Sequence, residues 1–176
     1  MPLTDILDAF RSQGLLVDIV QEKEMYNSLF ISYGGSDESY VSKINDSLRS
    51  EGVQTWFFPV DSLPGQKLHR AMHDGVNSFD RVLLVCSKNS LQRVGVLNEI
   101  ERVLEREARE GGSDILIPIT LDDFVYDEWS PKKTDIASQI RTRVITKFPK
   151  SADQTKEFQD ASQKLIKAIR KYQSGG

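Results

Sequence analysis

Val82-Leu83-Leu84-Val85-Cys86 runs directly into Ser87-Lys88-Asn89-Ser90-Leu91-Gln92-Arg93-Val94-Gly95-Val96-Leu97-Asn98-Glu99-Ile100. A short apolar run emptying into polar residues reads as a buried strand. From about residue 90 to 109 the pattern changes period. Val96, Leu97, Ile100, Val103, Leu104 and Ala108 recur at helical spacing and define one face. Strand, polar loop and helix in that order form half of a βαβ unit, with the Glu99 carboxylate near the first turns of the helix. Ligands of open α/β sheets bind at the carboxyl ends of strands. Glu99 is therefore the first candidate for chemistry.

The same alternation extends in both directions. Residues 28–33 form a strand-like run, broken by Gly34-Gly35-Ser36-Asp37-Glu38. Val41, Ile44 and Leu48 then predict a helix that Gly52 ends. Residues 53–58 predict a second strand, and Pro59 with Pro64-Gly65 makes the next stretch a loop. Leu68, Met72 and Val76 predict a short helix closed by Asn77-Ser78. The strand at 82–86 is the third, and residues 115–119, after Gly111-Gly112, are the fourth. Residues 121–139, with Trp129 and Pro131, are less regular. Residues 143–148 offer a fifth strand. Ser151-Ala152-Asp153-Gln154 resembles a capping box ahead of a closing helix marked by Phe158, Leu165, Ile169 and Tyr172.

Strands alternating with helices imply a parallel sheet covered on both faces, and five strands in about 145 residues suit a flavodoxin-like order, 2-1-3-4-5. Residues 28–173 then form the domain. Residues 1–27 read as an amphipathic arm, with Leu3, Ile6, Leu7 and Phe10 at helical spacing, Thr4 as cap and Gly14 as stop. Residues 15–20 suit either a helix or a strand. Residues 174–176 read as a flexible tail.

The bulk composition limits function. In 176 residues, 39% hydrophobic and 28% charged, the chain fits one soluble globular domain. A net charge of −3 provides no basic field for nucleic acid. No apolar stretch is long enough to cross a membrane, and no secretory signal is visible. Cys86 is the only cysteine, so no internal disulfide forms and a reducing cytoplasm is the simplest expectation.

In the 2-1-3-4-5 order the ligand crevice is expected between the loops after strands 1 and 3, which bring Tyr33, Gly34, Gly35 and Ser87 near Glu99. Gly34-Gly35 lets backbone approach a ligand, and a helix starting near Ser36 offers free N–H groups to a phosphate. Tyr33 and Trp56-Phe57-Phe58 offer flat surface for a ring, although core packing is the commoner role of such a tryptophan. The charges around Glu99, namely Glu101, Arg102, Glu105, Arg106 and Arg109, equally describe a solvated helix face. His69 and His73 share a helix face but lack further ligand partners, so no metal site is expected. No G-x-G-x-x-G, P-loop or G-x-S-x-G motif is present.

Four motifs, in order, resemble the Toll/interleukin-1 receptor (TIR) domain family. Phe30-Ile31-Ser32-Tyr33 resembles its first strand, Gly52-Val53-Gln54-Thr55-Trp56-Phe57 its second, and Leu63-Pro64-Gly65 the tip of its long loop. Val82-Leu83-Leu84-Val85-Cys86-Ser87 followed by Glu99 resembles its third strand and glutamate-bearing helix. The resemblance covers about residues 28–172, and the lack of receptor-like or adaptor-like appendages points to a bacterial type, similar to TIR enzymes of antiphage defence. It implies a cytoplasmic, metal-independent NAD glycohydrolase or cyclase with Glu99 as catalytic carboxylate, giving nicotinamide and ADP-ribose or a cyclic isomer. It implies self-association through TIR–TIR contacts and a downstream effector that senses the product, with NAD as substrate and no cofactor. Two positions depart from the family pattern. Gly95 stands where an aromatic commonly precedes the glutamate by four residues. Phe58 stands where an acid commonly follows the second-strand aromatics, with Asp61 as a nearby substitute. The alternative is a non-catalytic interaction module assembling through the exposed 59–66 loop and the apolar arm.

Overall fold

In the computed structural model, residues 5–6, 8–10, 28–112, 114–153 and 155–174 are described, without the side chains of residues 5–6 and 8–10, of Leu68, His69 and Met72, and of 171–174. Five strands form one parallel sheet: β1 (Ser28–Ser32), β2 (Gln54–Trp56), β3 (Arg81–Val85), β4 (Leu116–Thr120) and β5 (Thr146–Lys147). Their order is β2-β1-β3-β4-β5, as the alternation predicts. Phe30 lies opposite both Trp56 and Val82, Leu84 opposite Pro118, and Ile119 opposite Thr146. Parallel strands need a crossover of a dozen or more residues, and helices supply it. These are α1 (Glu38–Ser50), α2 (Leu68–Ser78), α3 (Val96–Arg109), α4 (Thr134–Arg141) and α5 (Lys156–Ser174). They pack as two sets on the two faces, α1 with α5, and α2 with α3 with α4.

The helical spacing marks buried positions in α1 and α5 and most of the face of α3, where Val96, Ile100 and Val103 are buried and Leu97 and Leu104 half-buried, while Ala108 is exposed. Val41, Ile44 and Leu48 of α1 are inaccessible, as are Phe158, Leu165 and Ile169 of α5. Leu29, Phe30 and Ile31 of β1 and Val82 to Cys86 are buried on both sides, as strands of a doubly covered sheet must be. On β1, Phe30 stacks on Trp56 at 5.3 Å and meets Phe79 at 5.5 Å. α2 lies directly over that ring because Gly75 faces it; a Cβ there would come within 2.1 Å of Phe30. Trp56 is thus core packing rather than a ligand platform.

Several boundaries differ from the sequence reading. The helix expected from residue 90 is two pieces, a single turn at Lys88–Leu91 and α3 from Val96. Ser87 caps the first piece, accepting from Ser90 N at 3.2 Å. The fifth strand is two residues rather than six. Odd residues of β4 bond towards β3, as Cys86 N does to Ile119 O, while Thr120 O accepts from Phe148 N on the other side. The missing N–H of Pro118 therefore falls on the β5 side, and the Leu116 carbonyl is taken by the Arg143 side chain at 3.0 Å. The ladder can begin only at Ile119. The cap of α5 is Thr155, whose Oγ1 accepts from Phe158 N at 3.2 Å. Ser151 instead accepts from Asp153 N, and Gln154 lies outside the described residues. Asp5–Ile6 and Asp8–Phe10 are extended, where a helix was expected. An isolated helix of about ten residues is marginal in water. Leu3, Thr4, Leu7, Gly14 and residues 15–20 lie outside the described residues. α5 includes Ser174, so only Gly175 and Gly176 of the expected tail lie beyond it, also outside the described residues.

The carboxylate of Glu107, buried near the end of α3, ties the helix to the sheet. Its Oε2 accepts from Ile115 N and Leu116 N, both at 2.8 Å, and from Arg143 Nη1 at 2.9 Å, while Arg143 Nη2 pairs with Oε1. Burial pushes the Glu107 carboxyl up, but Arg143 and the two backbone donors outweigh it and hold it below the usual carboxylate value. A lowered folded value means this stabilisation is complete above about 4.5, the ordinary value, and disappears as pH falls through the folded one. Glu107→Gln should cost about 3 kcal/mol at neutral pH, because it leaves Arg143 without its counter-charge in a largely buried place. Denaturant titrations should show a smaller loss of stability below pH 4.5 in the variant than in the wild type.

Candidate functional site

The end of β1, the turn after Lys88–Leu91 and the first turn of α3 meet around Glu99, which is only 8% exposed. Its Oε2 pairs with Arg93 Nη1, and its Oε1 accepts from Ser32 Oγ at 3.3 Å. Arg93 Nη2 also donates to Ser32 Oγ at 2.9 Å, closing a ring of three side chains. Both carboxylate oxygens are therefore oriented, and a neighbouring guanidinium offsets the buried charge. Charge-assisted bonds of this kind are roughly twice as strong as neutral ones.

Glu99 lies at the wall of a cavity of about 530 Å³ between α2 and α3. The described lining consists of Arg70, His73 and Asp74 from α2, Val94 and Gly95 from the turn, and Asn98, Glu99 and Arg102 from α3. On α2, spacings of three and four put the three residues on one face, and Glu99 and Arg102 share a face of α3 in the same way. Among the described residues no His, Cys, Asp and Glu group is arranged to hold a metal ion.

Of the sequence-selected positions, the structure brings Glu99 and Gly95 to this cavity. Gly95 is not one turn down the same helix but the residue before it, with φ +83° and no side-chain cap. That left-handed backbone turns the chain from the Arg93 segment into α3, and a Cβ would enter open space. Tyr33 is buried, its ring 5.3 Å from Phe57 and its hydroxyl donating to Glu38 at 3.0 Å. Burial, and then that bond to Glu38, pushes the phenol well up. Gly34 faces the Asn89 backbone, where a Cβ would come within 2.8 Å, and Gly35 begins a short 3₁₀ turn. Ser87 donates to the buried Asp37 carboxylate, which also accepts from Asn89 Nδ2 at 3.0 Å. The loops after β1 and β3 thus fill the switch-point crevice with each other, and the open volume lies to one side, against α2.

Phe58 packs its edge on Trp56 at 6.0 Å. Asp61 pairs with Arg49 at 2.6 Å and accepts from Phe57 N at 2.7 Å, bracing the loop after β2. Leu63, Pro64 and Gly65 are exposed, Leu63 at 72%. Cys86 is wholly buried, and that burial raises its thiol far above reactive values.

Ser32, Arg93, Arg70 and Asp74 were missed by the sequence reading, and His73 was weighed there only as a metal ligand. Ser32 has a readable signal, a lone polar residue closing an apolar strand. Arg93 has none, since it lies six residues before Glu99 across a turn.

The sequence profile of the family described as TIR domain matches residues 29–166. No curated protein matches the chain. Among solved structures, a metazoan TIR-STING receptor from C. gigas, in complex with 2',3'-cGAMP, superposes with a TM-score of 0.56 at 24% identity, over 80% of this chain and 38% of that one. The chain thus spans less than half of that receptor's length. The TIR domains of the activated Roq1 resistosome, which directly recognizes the pathogen effector XopQ, give 0.59 at 15% identity, over 81% and 98%. The TIR domain of the Toll-related receptor TRR-2 from Hydra magnipapillata gives 0.55 at 16% identity, over 81% and 97%. At these identities the likenesses establish the fold.

Removing the cation should expose how far Glu99 depends on it. Arg93→Ala should lower stability by about 3 kcal/mol by leaving a buried carboxylate uncompensated. Gly95→Ala should lose only about 1 kcal/mol, the cost of a left-handed backbone without steric conflict. Chemical denaturation measures both; a smaller loss in the first variant than in the second would contradict the ion-pair account.

Proposed function

The chain belongs to the TIR domain family, and on that premise we propose that it cleaves NAD at the bond between nicotinamide and ribose. The observation that carries this reading is the Glu99 carboxylate, buried, doubly anchored and lining an open cavity of ligand size. Nicotinamide departs as a neutral molecule with the electron pair of the C–N bond, and the ribose carbon becomes oxocarbenium-like. A fixed anion stabilises that developing positive charge without reorganising. Water then adds to the carbon and loses a proton, giving ADP-ribose; attack by an atom of the same molecule gives a cyclic isomer. No step needs a metal. Arg93 and Ser32 act as positioning residues that hold the carboxylate in one orientation. Product formation would serve immune or antiphage signalling, with a separate effector sensing the product.

One observation favours a second reading, an interaction module without chemistry. Val60 and Leu63, 61% and 72% exposed, present apolar surface on the loop after β2 and suit contact with another TIR domain. Nicotinamide release from NAD, followed by chromatography at high protein concentration, decides between them. The wild type should release nicotinamide, and Glu99→Gln should reduce turnover at least about a hundredfold with its fold intact. Equal release by the variant would remove Glu99 from the mechanism. Absence of release at every protein concentration would favour the interaction module.

A further inference from the structure

Six of the eight described residues lining the cavity beside Glu99 carry ionic or polar side chains. Its described lining contains no Phe, Tyr or Trp, and Val94 and Gly95 are its only non-polar members. Tyr33, Trp56, Phe57 and Phe58 are all engaged with other aromatic rings. A planar ring entering this cavity finds no aromatic surface to stack on among the described residues, so the charged groups are the main handle for recognition.

The charges present are unequal. Arg93 and Glu99 neutralise each other. Arg70 from α2 and Arg102 from α3 have no ion-pair partner among the described residues, and Asp74 is the one remaining anion. His73 adds a donor, and α3 begins at this wall without a side-chain cap, so the positive end of its dipole faces the same space. Two guanidiniums on facing helices, with planar donor forks, match the oxygens of a phosphate or diphosphate.

We propose that Arg70 and Arg102 form an anion subsite that grips the diphosphate of the dinucleotide and makes the enzyme selective for phosphorylated nicotinamide glycosides over the bare riboside. The proposal rests on the reading of Glu99 given above. α2 is thereby a specificity element, held in place by the contact of Gly75 with Phe30.

The test compares NAD, nicotinamide mononucleotide and nicotinamide riboside as substrates for the wild type, Arg70→Gln, Arg102→Gln and the double variant. Each substitution should raise KM for NAD about tenfold, with a smaller effect on kcat. In the double variant the preference for NAD over the riboside should fall about a hundredfold. Equal proportional losses on all three substrates, or an unchanged KM for NAD, would overturn the subsite. Calorimetric titration with inorganic pyrophosphate provides a readout independent of turnover. Binding by the wild type that the double variant loses supports the subsite, even if no nicotinamide is released and the NAD reading fails. No pyrophosphate binding by the wild type, or equal binding by the double variant, overturns it. Both side chains are at least partly exposed, so the variants should keep the wild-type melting temperature.

Discussion

Parallel pairing is the constraint from which the rest of this molecule follows. Five strands running in one direction oblige the chain to return to the same end of the sheet after each strand, and helices are the economical way back. Two consequences meet at the site. β1 and β3 are apolar on both faces through their middles, so polar residues fall at their ends, Ser28 and Arg81 at the start, Ser32 at the carboxyl end of β1 and Ser87 just past β3. The loops after β1, β2 and β3 must also emerge at a common edge. There the first and third pack on each other through Gly34, Asp37, Ser87 and Asn89, leaving the free volume between α2 and α3.

α3 is held at both ends by carboxylates. Near its start Glu99 is locked by Arg93 and Ser32; near its end Glu107 is locked by Arg143 and by two backbone donors of the β4 segment. Buried charges of this kind are tolerable only when paired and hydrogen-bonded. The two anchors do different work. Glu107 contacts only protein and secures the helix to the sheet. Glu99 lines a cavity, so its anchoring aims a charge at whatever occupies that space. Support from a strand end and a helix start holds that charge in one orientation.

The order of strands, the identity of the helices and the place of Glu99 at the head of the helix after the third strand were legible in the chain because each rests on local pattern. Apolar runs of four or five residues and 3.6-residue spacing survive folding unchanged. Errors arose where a neighbour in space decided the outcome. The fifth strand was shortened by Pro118, far away in the chain on β4, and by the Arg143 side chain taking a ladder carbonyl. The helix around residue 90 was split by Gly95, whose positive φ a count of apolar residues does not register. Tyr33, Gly34 and Ser87 stand where the strand order puts them, but their contacts with Phe57, Asn89 and Asp37 come from neighbours in space that spacing does not show.

The sequence by itself determined a doubly covered parallel sheet and set one carboxylate at the head of the helix after the third strand, because hydrophobic period and turn residues act over a few positions. Only the tertiary structure decided what that carboxylate faces. Arg93 reaches it across a turn, Ser32 from 67 positions earlier, and α2 supplies the opposite wall because a glycine lets it lie against Phe30. Those relations depend on how layers pack rather than on spacing along the chain, so the charge that offsets Glu99 and the cavity it lines exist only in three dimensions.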